Sequence, residues 1–257
     1  MIIAGRYSSL IFLMIFSIII FFIIQLGKRG KILKIRKLPA IDAIDEVVGR
    51  AAEMGKPLLY TVGGYLDNVE APQAIAGFTI LDYVAHKTAK MGVELITCPR
   101  YATHIPIAHE IVREAYRAEG VPDMFKPENI QYYSDTQFAF ATGVMGTIAR
   151  ERPASFIMIG AWWAEALMFL ETAVIYGVMS IGGTANTHQI PWIVLCTSYT
   201  LFGEEIFAAG AYLSKDPVSV GTIGAGDAGR YIIIALILLG AALTTLGIPI
   251  LNRLLAT

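Results

Sequence analysis

Two uncharged apolar runs bracket the chain: residues 8–26 (SSLIFLMIFSIIIFFIIQL) and residues 231–251 (YIIIALILLGAALTTLGIPIL). Each matches the ~20 residues a helix needs to cross the hydrocarbon core of a bilayer. The fold must therefore be built from what lies between them. Residues 27–230 suffice for one domain with a sizeable core. The first run exceeds the ~7–15 apolar residues of a cleaved leader, and its basic cluster follows it rather than precedes it. It reads as a retained anchor.

Charge sets the expected orientation. Lys28, Arg29, Lys31, Lys34, Arg36 and Lys37 follow the first run, whereas only Arg6 precedes it. A basic flank of this kind stays in the cytoplasm. The expected order is then a short outer N-terminus (1–7), a transmembrane helix (8–26), and a basic juxtamembrane segment with a helix (27–54). A cytoplasmic α/β domain (55–214) and a glycine-rich linker (215–230) follow. A second transmembrane helix (231–251) and an outer C-terminus (252–257) complete it. The net charge of −1 gives no reason to expect nucleic acid. Two cysteines, Cys98 and Cys196, make no disulfide framework and suit a reducing compartment.

The middle alternates short apolar runs with helical periodicity. Strands are expected at 57–62, 93–98, 129–133, 154–160 and 191–197. Helices are expected at 72–91, 104–118, from Ser134 or Asp135 to 150, at 162–179 and at 200–213. Five strand–helix units predict an α/β class: a Rossmann-like three-layer domain with a mainly parallel sheet, flanked by the two transmembrane helices. Unbroken apolar strands fit a sheet covered on both faces. A competing reading makes 161–180 a third span. That would place Glu165 and Glu171 in hydrocarbon at ~2.5–3.5 kcal/mol or more for an acidic group near the centre, so a buried helix is preferred.

Ligands of open parallel sheets bind beyond the carboxyl ends of the strands. That rule selects Gly63 and Gly64 after the first strand, and Arg100 after the second. It selects Ser134 and Asp135 after the third, and Thr197 and Ser198 after the fifth. Glycines allow close backbone approach, helix amino ends attract anions, and Arg100 could clamp a phosphate or carboxylate. GGYLDN is not a GxGxxG fingerprint, and no GKS or GKT phosphate loop exists. No cofactor is implied by motif. No metal site is expected, because His104 and His109 are five apart and the other histidines are isolated. Ser198 or Cys98 with His104 lacks a nucleophile elbow. Catalytic residues are therefore not assignable, and the balance leans against an enzyme without closing the question.

The segment 162–179 is apolar nearly all round, and such a helix must be buried all round. Trp162, Trp163, Phe169, Ile175 and Phe207 are accordingly expected at an interface between copies, with Glu165 and Glu171 accepting hydrogen bonds there. The expected partners are the lipid bilayer, a second copy and other membrane proteins. The stretches LPAIDAIDEVVGRAAEMGKPLLYTVGG and ITCPRYATHIPIAHEIVREAY give the middle domain a family likeness. It resembles an uncharacterised prokaryotic membrane-anchored family with a domain of unknown function. That resemblance implies no activity and no site residue. The leading expectation is a homo-oligomeric scaffold at the cytoplasmic membrane face. The alternatives are a tethered binding domain or enzyme taking an anionic small molecule at the strand-end rim, and a subunit of a transport complex.

Overall fold

The structure, a computed structural model, describes residues 7–28 and 38–247. The N-terminal segment and the C-terminal segment expected on the outer side, the basic stretch 29–37 and the end of the second apolar run lie outside the described residues, apart from Tyr7. The chain divides into two units. One takes residues 1–35 and 215–257, and the other takes residues 36–214.

The first unit is a pair of helices, α1 (Tyr7–Lys28) and α9 (Pro217–Thr245). Both are long and apolar enough to cross a membrane. The expected linker at 215–230 is instead the start of α9. Asp216 caps it, accepting from the Ser219 amide at 2.8 Å, and Pro217 occupies its first turn. The reason lies in spacing. Gly221, Ala225 and Gly229 recur every four residues and are the buried positions of that half of the helix. A Cβ on Gly221 would stand 3.1 Å from the Ile24 Cα. Small residues here are a packing surface for α1.

The second unit is an α/β domain. It begins with α2 (Pro39–Met54), which buries Ile41, Ile44, Val47 and Val48 and closes at Gly55 in the left-handed conformation. The helix expected beside the membrane is thus part of the domain's core. Five strands follow: β1 (Leu58–Gly63), β2 (Leu95–Pro99), β3 (Ser155–Gly160), β4 (Met179–Thr184) and β5 (Tyr199–Phe202). They form one all-parallel sheet in the order β2-β1-β3-β4-β5. The remaining helices are α3 (Ala71–Met91), α4 (Ile105–Ala118), α5 (Gln137–Glu151), α6 (Glu165–Ile175), α7 (Ile190–Cys196) and α8 (Glu205–Ser214).

Alternation along the strands builds two cores. Leu58, Tyr60, Val62, Ile157 and Ile159 pack with α2, α3, α4 and α8. Leu59, Phe156 and Met158 pack with α5, α6 and α7. The second core is aromatic: Phe140, Phe156, Trp162 and Phe169 meet at ring separations of 5.5–6.3 Å. Each such side chain, when fully buried, contributes roughly 1.5–3 kcal/mol or more.

The number of strands agrees with expectation, but two positions do not. Residues 129–133 add only a single bridge, Ile130 to Thr97, after a 3-10 turn at Pro127–Asn129. Residues 191–197 are helical as α7, with Pro191 in the first turn. The remaining two strands are β4, which follows the helix expected at 162–179 and shares only Met179 with it, and β5, which overlaps the start of the helix expected at 200–213. Short apolar runs carry too little periodicity to separate strand from helix. Gly182 lies under Ile193 and Thr197, so β4 had little side chain to mark it as a strand. The long apolar helix is really α6, eleven residues, stopped where Gly177 takes φ +66°. At 1.5 Å per residue it is about half the ~30 Å a membrane span needs.

Candidate functional site

The sheet order reverses direction at β1. The connection after β1 runs to β2 on one side, and β3 lies on the other, so α3 and α6 depart to opposite layers. A crevice opens at such a point beyond the strand ends. Here β1 and β3 end in register at Gly63 and Gly160. Gly160 has φ +134°, and a Cβ there would overlap the Gly63 carbonyl. The two backbones meet too closely for any side chain.

Arg100 enters from the end of β2, its amide donating to the Val62 carbonyl at 3.2 Å. Its Nη1 donates to the carbonyls of Ser134 (3.3 Å) and Asp135 (3.0 Å). Its Nε lies 3.6 Å from Glu165 Oε1, with the two side chains 4% and 2% exposed. Gln137 Nε2 donates to the other Glu165 oxygen. The guanidinium also lies 4.5 Å from the Tyr101 ring centroid and 5.0 Å from that of Phe140. A buried pair with these partners locks β2, the 134–135 loop, α5 and α6 together.

A second carboxylate organises the other wall. Glu70 precedes α3 and is buried. Its Oε2 accepts from the Tyr65 amide at 3.1 Å, and its Oε1 accepts from Trp163 Nε1 at 3.0 Å. Tyr65 stacks on Tyr101 at 4.0 Å. Further in, Gln73 Oε1 accepts from the Ala185 amide and Gln73 Nε2 donates to Asn186 Oδ1. Asn186 in turn donates to the Trp162 carbonyl at 2.9 Å. These bonds tie together the carboxyl ends of β1, β3 and β4.

Between the walls is a cleft of about 600 Å³, lined by Tyr65, Arg100, Tyr101, Asp135, Gln137, Trp163, Ala164, Glu165 and Gln189. Its size suits a small molecule. Beneath Tyr101 lies His104, fully buried, edge-on to Tyr101 and Phe78. Burial lowers its pKa to about 4, partly offset by the nearby Gly64 and Val62 backbone. Neither ring nitrogen makes a hydrogen bond of good geometry.

The chain matches, over residues 1–255, the family described as a domain of unknown function, DUF6754. It belongs to that family. No curated protein and no solved structure matches it.

Of the expected site residues, Gly63, Gly64, Arg100, Ser134 and Asp135 converge on this end of the sheet. Thr197 and Ser198 do not. They precede β5, and the Ser198 amide donates to the Ser180 carbonyl near the start of β4, at the opposite edge. The error follows from reading α7 as a strand. The anion-holding groups are also already engaged within the chain: Arg100 by Glu165 and two carbonyls, and the Tyr65 amide by Glu70. Glu165 accepts its hydrogen bond from Gln137 of its own chain rather than at a subunit contact. Trp162 and Phe169, expected at an interface, are fully buried in the aromatic core. Phe207 is half-buried against the other core, Ile175 is exposed, and Trp163 stands at the cleft.

Glu70, Gln137 and Gln189 were not foreseen. Glu70 carries a faint signal, an acid at the start of a helix. The two glutamines carry none. Cys98 is buried, and burial pushes its thiol up to about 12. That is the behaviour of packing, not of a nucleophile.

Proposed function

We propose that this chain is a membrane-tethered α/β domain that binds a small polar molecule in the cleft between the ends of β1 and β3. One observation carries the reading: a cleft of about 600 Å³ at the switch point, floored by the buried Arg100–Glu165 pair. Buried charge is costly to maintain, and clefts that hold it are candidate sites on physical grounds. α1 and α9 serve as the anchors. The basic cluster from Lys28 to Lys37 favours a cytoplasmic domain with both termini outside. Thermal-shift screening of the full chain in detergent, against nucleotides, sugars, carboxylates and amines, tests the binding. Stabilisation by at least one class is expected, and stabilisation by none overturns it. Labelling of a Thr257→Cys variant from outside intact cells tests the orientation.

A second reading, a homo-oligomeric scaffold, is supported by exposed apolar side chains near the ends of α6 and α7. Val174, Ile175, Val194 and Leu195 are each more than half exposed. Light scattering on the detergent-solubilised chain tests it, and a monomer at micromolar concentration overturns it.

A further inference from the structure

The cleft has an uneven balance of charge. Two carboxylates line it, Glu165 on the floor and Asp135, and a third, Glu70, is buried behind the wall, bonded to both Tyr65 and Trp163. Arg100 is the one cation on the lining, and it faces Glu165. Glu70 and Asp135 form no ion pair among the described residues. Two negative charges are left uncompensated, in a concavity where field lines concentrate.

The position an anion would take is also filled. In open α/β domains a phosphate sits at the amide groups of the first strand–helix turn. Here the Glu70 carboxylate occupies that turn, accepting from the Tyr65 amide. An incoming phosphate would meet a buried carboxylate instead of free N–H groups. The aromatic walls point the same way. Tyr65 and Trp163 are 44% and 46% exposed, and Glu70 holds the first by its backbone amide and the second by its indole N–H, while the Tyr65 ring is set by stacking on Tyr101. Exposed, pre-positioned rings beside carboxylates attract cations through their faces.

A separate observation marks an unfilled polar contact. Gln189 lines the cleft and is only 8% exposed, its side-chain amide makes no hydrogen bond among the described residues, and neither amide atom is sealed from solvent, so the amide opens onto the cleft. Its oxygen is an acceptor for an N–H brought by a ligand.

We propose that the cleft takes an organic cation, an ammonium- or guanidinium-bearing small molecule. Its charge is held by Glu70, Asp135 and Glu165, its body lies against Tyr65 and Trp163, and one N–H meets Gln189. This rests on the reading that the cleft binds small molecules, and it specifies their charge.

The test uses the full chain in an uncharged polyoxyethylene detergent. Titration calorimetry and tryptophan fluorescence are run with agmatine, spermidine and choline, and with adenosine, glucose and inorganic phosphate as comparators. At least one cation should bind, more weakly as salt rises, and phosphate should not. Glu70→Gln and Gln189→Leu should each weaken the cation by about tenfold. Asp135→Asn, at an exposed position, should weaken it without altering the melting temperature. Circular dichroism verifies that every variant is folded. Binding of adenosine, glucose or phosphate without any cation overturns the inference and leaves the small-molecule reading standing. Binding of none of the six to the folded chain overturns this inference. Cation binding unchanged by all three substitutions places the cation elsewhere and overturns the inference as well.

Discussion

Ion pairs occur in two settings in the α/β domain. Arg100 and Glu165 meet beneath the cleft, shielded from water, with Gln137 and two backbone carbonyls completing their bonds. Along α3, Lys87 reaches Asp45 of α2 at 2.9 Å, and Lys90 reaches Glu119 at 3.4 Å. Those groups are all partly in solvent. By distance alone the α3 pairs are the shorter, at 2.9 and 3.4 Å against 3.6 Å. Burial reverses the ranking. A charge out of water depends on its partner, whereas an exposed charge returns to water when its partner is removed.

The largest effect expected from breaking this contrast is at Glu165. Glu165→Ala strands the Arg100 guanidinium and should cost about 3–5 kcal/mol, read by urea unfolding. Replacing both partners, Arg100→Met with Glu165→Leu, should recover most of that stability. A double variant as unstable as the single one would show that the pair contributes geometry rather than charge balance.

Next comes His104, buried with no ion pair among the described residues. Its folded pKa of about 4 lies below the ordinary ~6.5. The unfolded chain therefore binds the extra proton first as pH falls. Stability is full above ~6.5 and declines through the window down to about 4, by roughly 3 kcal/mol in all. A folded His104→Phe variant should lose less across that window, measured by unfolding at pH 7, 5 and 4. Equal slopes for the two proteins would refute this.

The smallest effect is expected on α3. Lys87→Ala should change stability by less than about 1 kcal/mol, and the difference should fade in 1 M salt. A larger, salt-resistant loss would erase the distinction between the two settings.

The same distinction governs how much was legible in the sequence. β1 and β3 are closed apolar runs ending at glycine, and Arg100 follows a strand directly, so their places could be read locally. The partner of Arg100 could not. Glu165 lies far along the chain, and only the β2-β1-β3 order brings it near, an order that periodicity does not encode. Trp162 and Phe169 looked like surplus apolar surface because the sequence does not reveal that α6 packs on the sheet flanked by α5 and α7. Thr197 and Ser198 were assigned to the wrong edge because IVLC, rich in β-branched residues, is helical under a proline start. Residues 221–229 looked like a linker because glycine serves both flexible segments and close helix contacts, and only the partner helix tells them apart.

The helix pair also has a consequence for synthesis. α1 packs on α9, yet 188 residues separate their facing ends, from Lys28 to Pro217. At ~5–20 residues per second, α1 is made roughly 10–40 s before its partner begins to leave the ribosome. The α/β domain is continuous in sequence and complete by Ser214, so it can fold within that interval. The nascent chain thus holds one unmatched apolar helix beside a finished domain, and its last cooperative step is the arrival of α9.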